Sequence, residues 1–109
     1  MTAEPDVGLS LSVERNGADA VVMVGGELEF GTAAPLRTTL LDLAHDGAGT
    51  LVLDLGSVEF IDSTGISLLV QAKQRLEAQG SRLVLRRPAP RVVRVLEVAG
   101  LREFFEIEN

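Results

Sequence analysis

Leu51-Val52-Leu53-Asp54-Leu55, then Val58-Glu59-Phe60-Ile61, then Asp62-Ser63-Thr64-Gly65-Ile66 is the stretch that decides the fold of this chain. The first five residues are apolar except Asp54, as expected of a strand covered on both faces, and Val58 to Ile61 continues extended. After the polar turn, Ile66, Leu69, Val70 and Leu76 recur at three and four. That period predicts a helix running to about Gln79, with Gly80 as its left-handed stop.

Toward the N-terminus, Leu9, Leu11 and Val13 alternate with Ser10, Ser12 and Glu14, the period of a strand with one wet face. Asn16-Gly17 supplies a turn, and the apolar run Ala20 to Val24 returns as the second strand of an antiparallel hairpin, ended or bent by Gly25-Gly26. Leu36, Leu40 and Leu43, with Leu41 and Ala44 beside them, then mark a helix capped by Thr32, with Pro35 in its first turn. Toward the C-terminus, Leu83 to Leu85 is a short strand. Pro88 and Pro90 introduce a helix carrying Val92, Val93 and Leu96 and stopped by Gly100, and Phe104 to Ile107 adds a final strand. The order implies an α/β fold: a mixed sheet of four to five strands with an N-terminal hairpin and about three to four helices packed against it. Residues 1–8 are expected to form a flexible N-terminus and residues 9–109 one domain, its first strand exposed at an edge.

The 109 residues fit one compact unit. Aromatic content is 4%, all of it Phe, so the platforms that stack single-stranded nucleic acid are missing. Sixteen acids against ten bases, a formal charge of −6, would repel a phosphate backbone, so neither nucleic acid nor an anionic membrane is an expected partner. Without cysteine there is no disulfide, thiolate zinc site or Cys nucleophile. Neither a secretory signal nor a run near the ~20 apolar residues of a membrane helix is visible, and a soluble cytoplasmic protein without metal or cofactor is expected.

The turn from Asp62 to Gly65 carries the chemistry. A helix start gathers unpaired N–H groups and about half a positive charge, which stabilises an anion placed there. A phosphate on Ser63 would bring ≈ −1.5 to −2 charges that the fold tolerates and that a partner surface rejects. Asp, Ser and Thr are equally the favoured helix caps, and physical chemistry alone leaves the capping and phosphorylation readings both open.

Asp62-Ser63-Thr64-Gly65-Ile66 resembles the phosphorylation motif of the anti-sigma-factor antagonists, members of the sulfate transporter and anti-sigma antagonist (STAS) domain family. Gly26-Glu27-Leu28-Glu29 resembles the family's Gly-Glu-Leu-Asp segment, and Leu53-Asp54-Leu55 stands at the right remove before the motif. Val95-Leu96-Glu97-Val98-Ala99-Gly100-Leu101 is similar to its last helix and Gly-Leu exit. The resemblance, which spans Leu9 to Ile107, implies a binding protein and not an enzyme. Its unphosphorylated form would bind an anti-sigma factor that is also a serine kinase of the histidine-kinase-like fold, and so free a sigma factor. Phosphorylation at Ser63 would end binding, and a phosphoserine phosphatase would restore it. Glu27, Glu29, Thr32, Asp62, Thr64, Gly65 and Ile66 are implied as partner-binding positions, with the chain a monomer or weak dimer. Glu29 stands where the family usually has Asp; the added methylene keeps the charge and moves it.

Two competing readings use the same residues. In one, the domain is a scaffold subunit of a larger signalling or transport assembly and Ser63 is merely a cap. In the other, a small hydrolase, His45 would be the base, although a lone histidine near a helix end is the usual dipole partner. Gly25-Gly26 lacks the spacing of a phosphate-binding loop. Arg86, Arg87, Arg91 and Arg94 read as a solvated basic face, some of them pairing helix carboxylates, with a docking patch for an acidic partner as the sharper option.

Overall fold

The computed structural model describes residues 8–109; the expectation of a flexible N-terminus falls, apart from Gly8, outside the described residues. The elements are β1 (Leu9–Asn16), β2 (Asp19–Leu28), α1 (Ala33–His45), β3 (Thr50–Ile61), α2 (Ser63–Ala78), β4 (Arg82–Arg86), α3 (Pro90–Val98), a 3-10 turn (Arg102–Phe104) and β5 (Glu106–Glu108). They form one sheet in the order β1-β2-β3-β4-β5, the first pair antiparallel and the rest parallel.

Because β2 to β5 lie side by side in chain order, each parallel step moves the same way across the sheet. Right-handed crossovers then set all three helices on one face. A single core follows, in which Leu36 and Leu40 of α1, Leu69 and Leu76 of α2, and Val92 and Leu96 of α3 meet Leu53 and Leu85 of the sheet. The register aligns Val22, Leu53 and Leu85 on that face and Val21, Val52 and Val84 on the other.

β3 is therefore covered by helices on one face only, not on both as its apolar run suggested. The sequence run is explained by how the open face shields itself. Arg82 and Arg86 flank Val84 on the same side and pair with Glu106 and Glu108 of β5, so their aliphatic stems lie over a valine left only 5% exposed. Asp54, on the same face, is 6% exposed and accepts hydrogen bonds from Arg87 Nη2 at 2.6 Å and the Gly56 N–H at 2.9 Å. Arg86 and Arg87 thus pair with strand carboxylates instead of helix ones, while Arg91 and Arg94 make no ion pair among the described residues.

Burial alone pushes the Asp54 carboxyl up. The Arg87 and Gly56 hydrogen bonds, with the charges of Arg87 and Arg86, outweigh it and hold the group below the ordinary carboxylate value. A depressed folded value adds stability above the unfolded pKa of ~3.9 and loses it as pH falls through the folded value. Urea midpoints of wild type and Asp54→Asn should therefore differ at neutral pH, wild type being the more stable, and converge below about pH 4. A gap that stays constant on acidification would mean that ionisation of Asp54 is irrelevant to stability.

Of the two expectations for Gly25-Gly26, an end or a bend, the structure has the bend: β2 runs on to Leu28, with register shifts against β3 on either side of this pair. Gly26 sits at φ +90°, and a Cβ there would fall 2.0 Å from the Gly8 carbonyl oxygen, so the bend demands glycine. The C-terminal strand begins at Glu106 and not at Phe104, because Phe105 turns into the core, 6% exposed, with the Phe104 ring set edge-on at 5.0 Å. Thr32 precedes α1 but makes no side-chain cap to it. α2 ends as expected, at Ala78, with Gly80 left-handed at φ +82°.

Candidate functional site: the helix entrance at Ser63

The carboxyl ends of β2 and β3 lie together, Leu28 paired with Ile61, where open α/β sheets present their sites. Asp62 follows β3 in an extended conformation and caps α2, its Oδ1 accepting the Gly65 N–H at 3.0 Å. Its Oδ2 accepts the Phe30 N–H at 3.1 Å, and its own N–H donates to the Leu28 carbonyl at 3.3 Å. One carboxylate thus fastens the start of α2 to the loop that follows β2. With both oxygens occupied by backbone donors, Asp62 is placed to hold the turn in shape.

The facing loop, residues 29–32, is closed by its own side chains. Glu29 Oε1 accepts the Gly31 N–H at 2.7 Å. The Thr32 hydroxyl accepts the Glu29 N–H at 3.1 Å and donates to the Glu27 carbonyl at 2.5 Å, the use that withdraws it from capping α1. The longer Glu29 side chain is therefore spent on its own loop.

Ser63 is the first residue of α2 and is exposed; Thr64 beside it is half-buried. Neither hydroxyl has a hydrogen-bond partner among the described residues. Gly65 and Ile66 face inward, Ile66 only 8% exposed. Of the eight positions singled out from sequence, Ser63, Asp62, Thr64, Glu27, Glu29 and Thr32 come together around this corner with some exposure, while Gly65 and Ile66 support it from beneath. At Gly65 the space is filled: a Cβ would lie 2.7 Å from Ile61 Cγ1 and 2.8 Å from the Leu28 carbonyl oxygen.

His45 ends α1, at the other end of the sheet from Ser63. A thirteen-residue helix at ~1.5 Å per residue separates it from the site by about 20 Å, too far for the Ser–His contact that a hydrolase requires. Sequence reasoning missed Phe30, which is 81% exposed in the clamped loop. Its only signal was an aromatic residue set between Glu29 and Gly31.

A mixed five-stranded sheet with helices on one face and a hydroxyl-bearing helix start beside its second strand is the architecture of a STAS domain. The chain belongs to that family: the family model described as "Mlab, STAS domain" matches residues 11–107. It is 31% identical over 101 residues to an anti-sigma-B factor antagonist of Bacillus subtilis (strain 168), covering 93% of this chain and 92% of that one. The structure of an anti-sigma factor antagonist from Mycobacterium paratuberculosis superposes with a TM-score of 0.76 at 32% identity, over 92% of this chain and 85% of that one. The anti-sigma factor antagonist SpoIIAA shares the fold at 24% identity, over 92% of this chain in both cases. In its unphosphorylated form the TM-score is 0.78 with 89% of that chain covered; in its phosphorylated form it is 0.73 with 92% covered.

Proposed function

We propose that this chain is an anti-sigma-factor antagonist gated at Ser63. Unphosphorylated, it binds an anti-sigma factor that is also a serine kinase of the histidine-kinase-like fold, in the cytoplasm, and so releases a sigma factor. Phosphorylation of Ser63 ends that complex and a phosphoserine phosphatase restores it. The observation that carries this reading is an exposed serine opening α2, on a turn held by Asp62 and supported by Gly65. The names of the Bacillus and Mycobacterium relatives support the same reading.

The chemistry asks little of this chain, which supplies the acceptor and no catalyst. Ser63 Oγ forms a bond to the γ-phosphorus of ATP, the bond from that phosphorus to the β,γ-bridging oxygen breaks, and ADP leaves. The hydroxyl proton passes to solvent or to a base on the kinase. The product sets a phosphate of ≈ −1.5 to −2 charges against the nucleotide phosphates that had faced a neutral hydroxyl, and like charges at such range repel strongly. The free Ser63 and Thr64 N–H groups at the helix start receive the phosphate within this chain, so the repulsion falls on the complex and the fold is spared. Glu27, Glu29, Thr32, Asp62 and Thr64 are the positions that would meet the partner, with Gly65 and Ile66 setting their placement.

Incubation with the cognate kinase and radiolabelled ATP should place one phosphate on Ser63 and none on Ser63→Ala, which still binds. Label on Thr64 would overturn the site assignment. A partner indifferent to Ser63→Asp would favour a scaffold role without switching.

A further inference from the structure

We propose that Phe30 is the apolar anchor by which the anti-sigma kinase docks, entering a pocket of that partner bordered by lysine or arginine; the inference rests on the antagonist reading above. Phe30 is 81% exposed, against an ordinary fate of burial for an aromatic side chain. It is not loosely held. Its N–H is bound by Asp62, and on either side Glu29 bonds the Gly31 N–H and Thr32 bonds the Glu27 and Glu29 backbone. With the backbone of its loop already clamped, covering the ring adds no loop-ordering cost and leaves only its two side-chain torsions to be fixed, which favours a strong contact.

The surrounding charge states what kind of partner fits. Glu27, Glu29, Glu59 and Asp62 crowd the carboxyl ends of β2 and β3, and neither strand, nor the loop of residues 29–32, contains a Lys or Arg. Glu27 lies in register with Phe60, itself 45% exposed, so a carboxylate and an apolar ring stand side by side on neighbouring strands. A basic rim on the partner would meet the carboxylates, and an apolar pocket would take the ring. The same anchor lies one hydrogen bond from the cap of the switch helix, so docking Phe30 delivers Ser63 to the nucleotide. The acid rim steers encounter, and the phosphate on Ser63 acts later, against the nucleotide and not against the rim.

The test is calorimetry and stopped-flow association with the purified kinase that phosphorylates this chain. Phe30→Ala should weaken binding by ~30-fold, the size of an aromatic hot spot, with its unfolding midpoint unchanged. Glu27→Gln should slow association, and the wild-type association rate should fall as salt rises from about 0.05 to 0.5 M. If Ser63→Asp loses binding while Phe30→Ala keeps it, the anchor is refuted and the antagonist reading stands. Association that quickens with salt refutes the basic rim. A wild-type dimer that Phe30→Ala converts to monomer would assign the ring to self-association instead. If wild type does not bind the kinase at all, both readings fall.

Discussion

Phosphorylated at Ser63, the chain is expected to bind its kinase more than ~100-fold more weakly than the unmodified form, a penalty of ~3 kcal/mol. Ser63→Asp, with one charge where phosphate brings nearly two, should lose at least ~10-fold. The fold should hardly notice. Ser63 is exposed, its helix start offers unpaired N–H groups, and an acid in the first turn complements the helix dipole by a few tenths to ~1 kcal/mol. The neighbouring Asp62 carboxylate works against that gain, so the unfolding midpoint should move by only a few degrees in either direction. Titration calorimetry beside thermal unfolding separates the two effects. A Ser63→Asp chain that melts far below wild type would show that the introduced charge disrupts the turn itself, and lost binding would then say nothing about a switch.

Gly65→Ala should cost about 3 kcal/mol of stability, lowering the melting temperature by more than ~10 °C. The added methyl has nowhere to go, since both its neighbours belong to strands. Ile61 Cγ1 at 2.7 Å is a buried core atom, and the Leu28 carbonyl at 2.8 Å already accepts the Asp62 N–H. Relief would require α2 to lift off the end of the sheet, breaking the Asp62 caps to Gly65 and Phe30 together. Chains that do fold should therefore present Ser63 poorly and show slower phosphate incorporation than wild type. Wild-type stability in Gly65→Ala would mean that α2 tolerates a shift, and the close contact would lose its significance for the site.

Much of this was readable from residues near one another in the chain. Ile66, Leu69, Val70 and Leu76 announced α2, and the polar run before them located its entrance within a residue. Alternation from Leu9 to Glu14 announced an edge strand, and Asn16-Gly17 its hairpin. These signals are local because helix period, strand alternation and turn chemistry each act over a few residues.

What misled was equally specific. Thr32 has the chemistry of a cap, yet the carbonyl of Glu27 and the N–H of Glu29 reach its hydroxyl instead. The run from Leu51 to Leu55 has the hydropathy of a strand buried twice over, but Val52 and Asp54 face away from every helix. Arg87 closes over Asp54 from thirty-three residues away, so no local pattern could reveal the pair.

The sequence by itself determined the order of the elements and the serine at a helix mouth, since each depends on neighbours in the chain. The tertiary structure alone decided which face of the sheet the helices cover, that Asp62 holds the loop thirty-two residues earlier, and that Phe30 stands in water beside Ser63. The reason is physical: a right-handed crossover brings the ends of β2 and β3 together, and only that meeting lets one carboxylate join a loop to a helix.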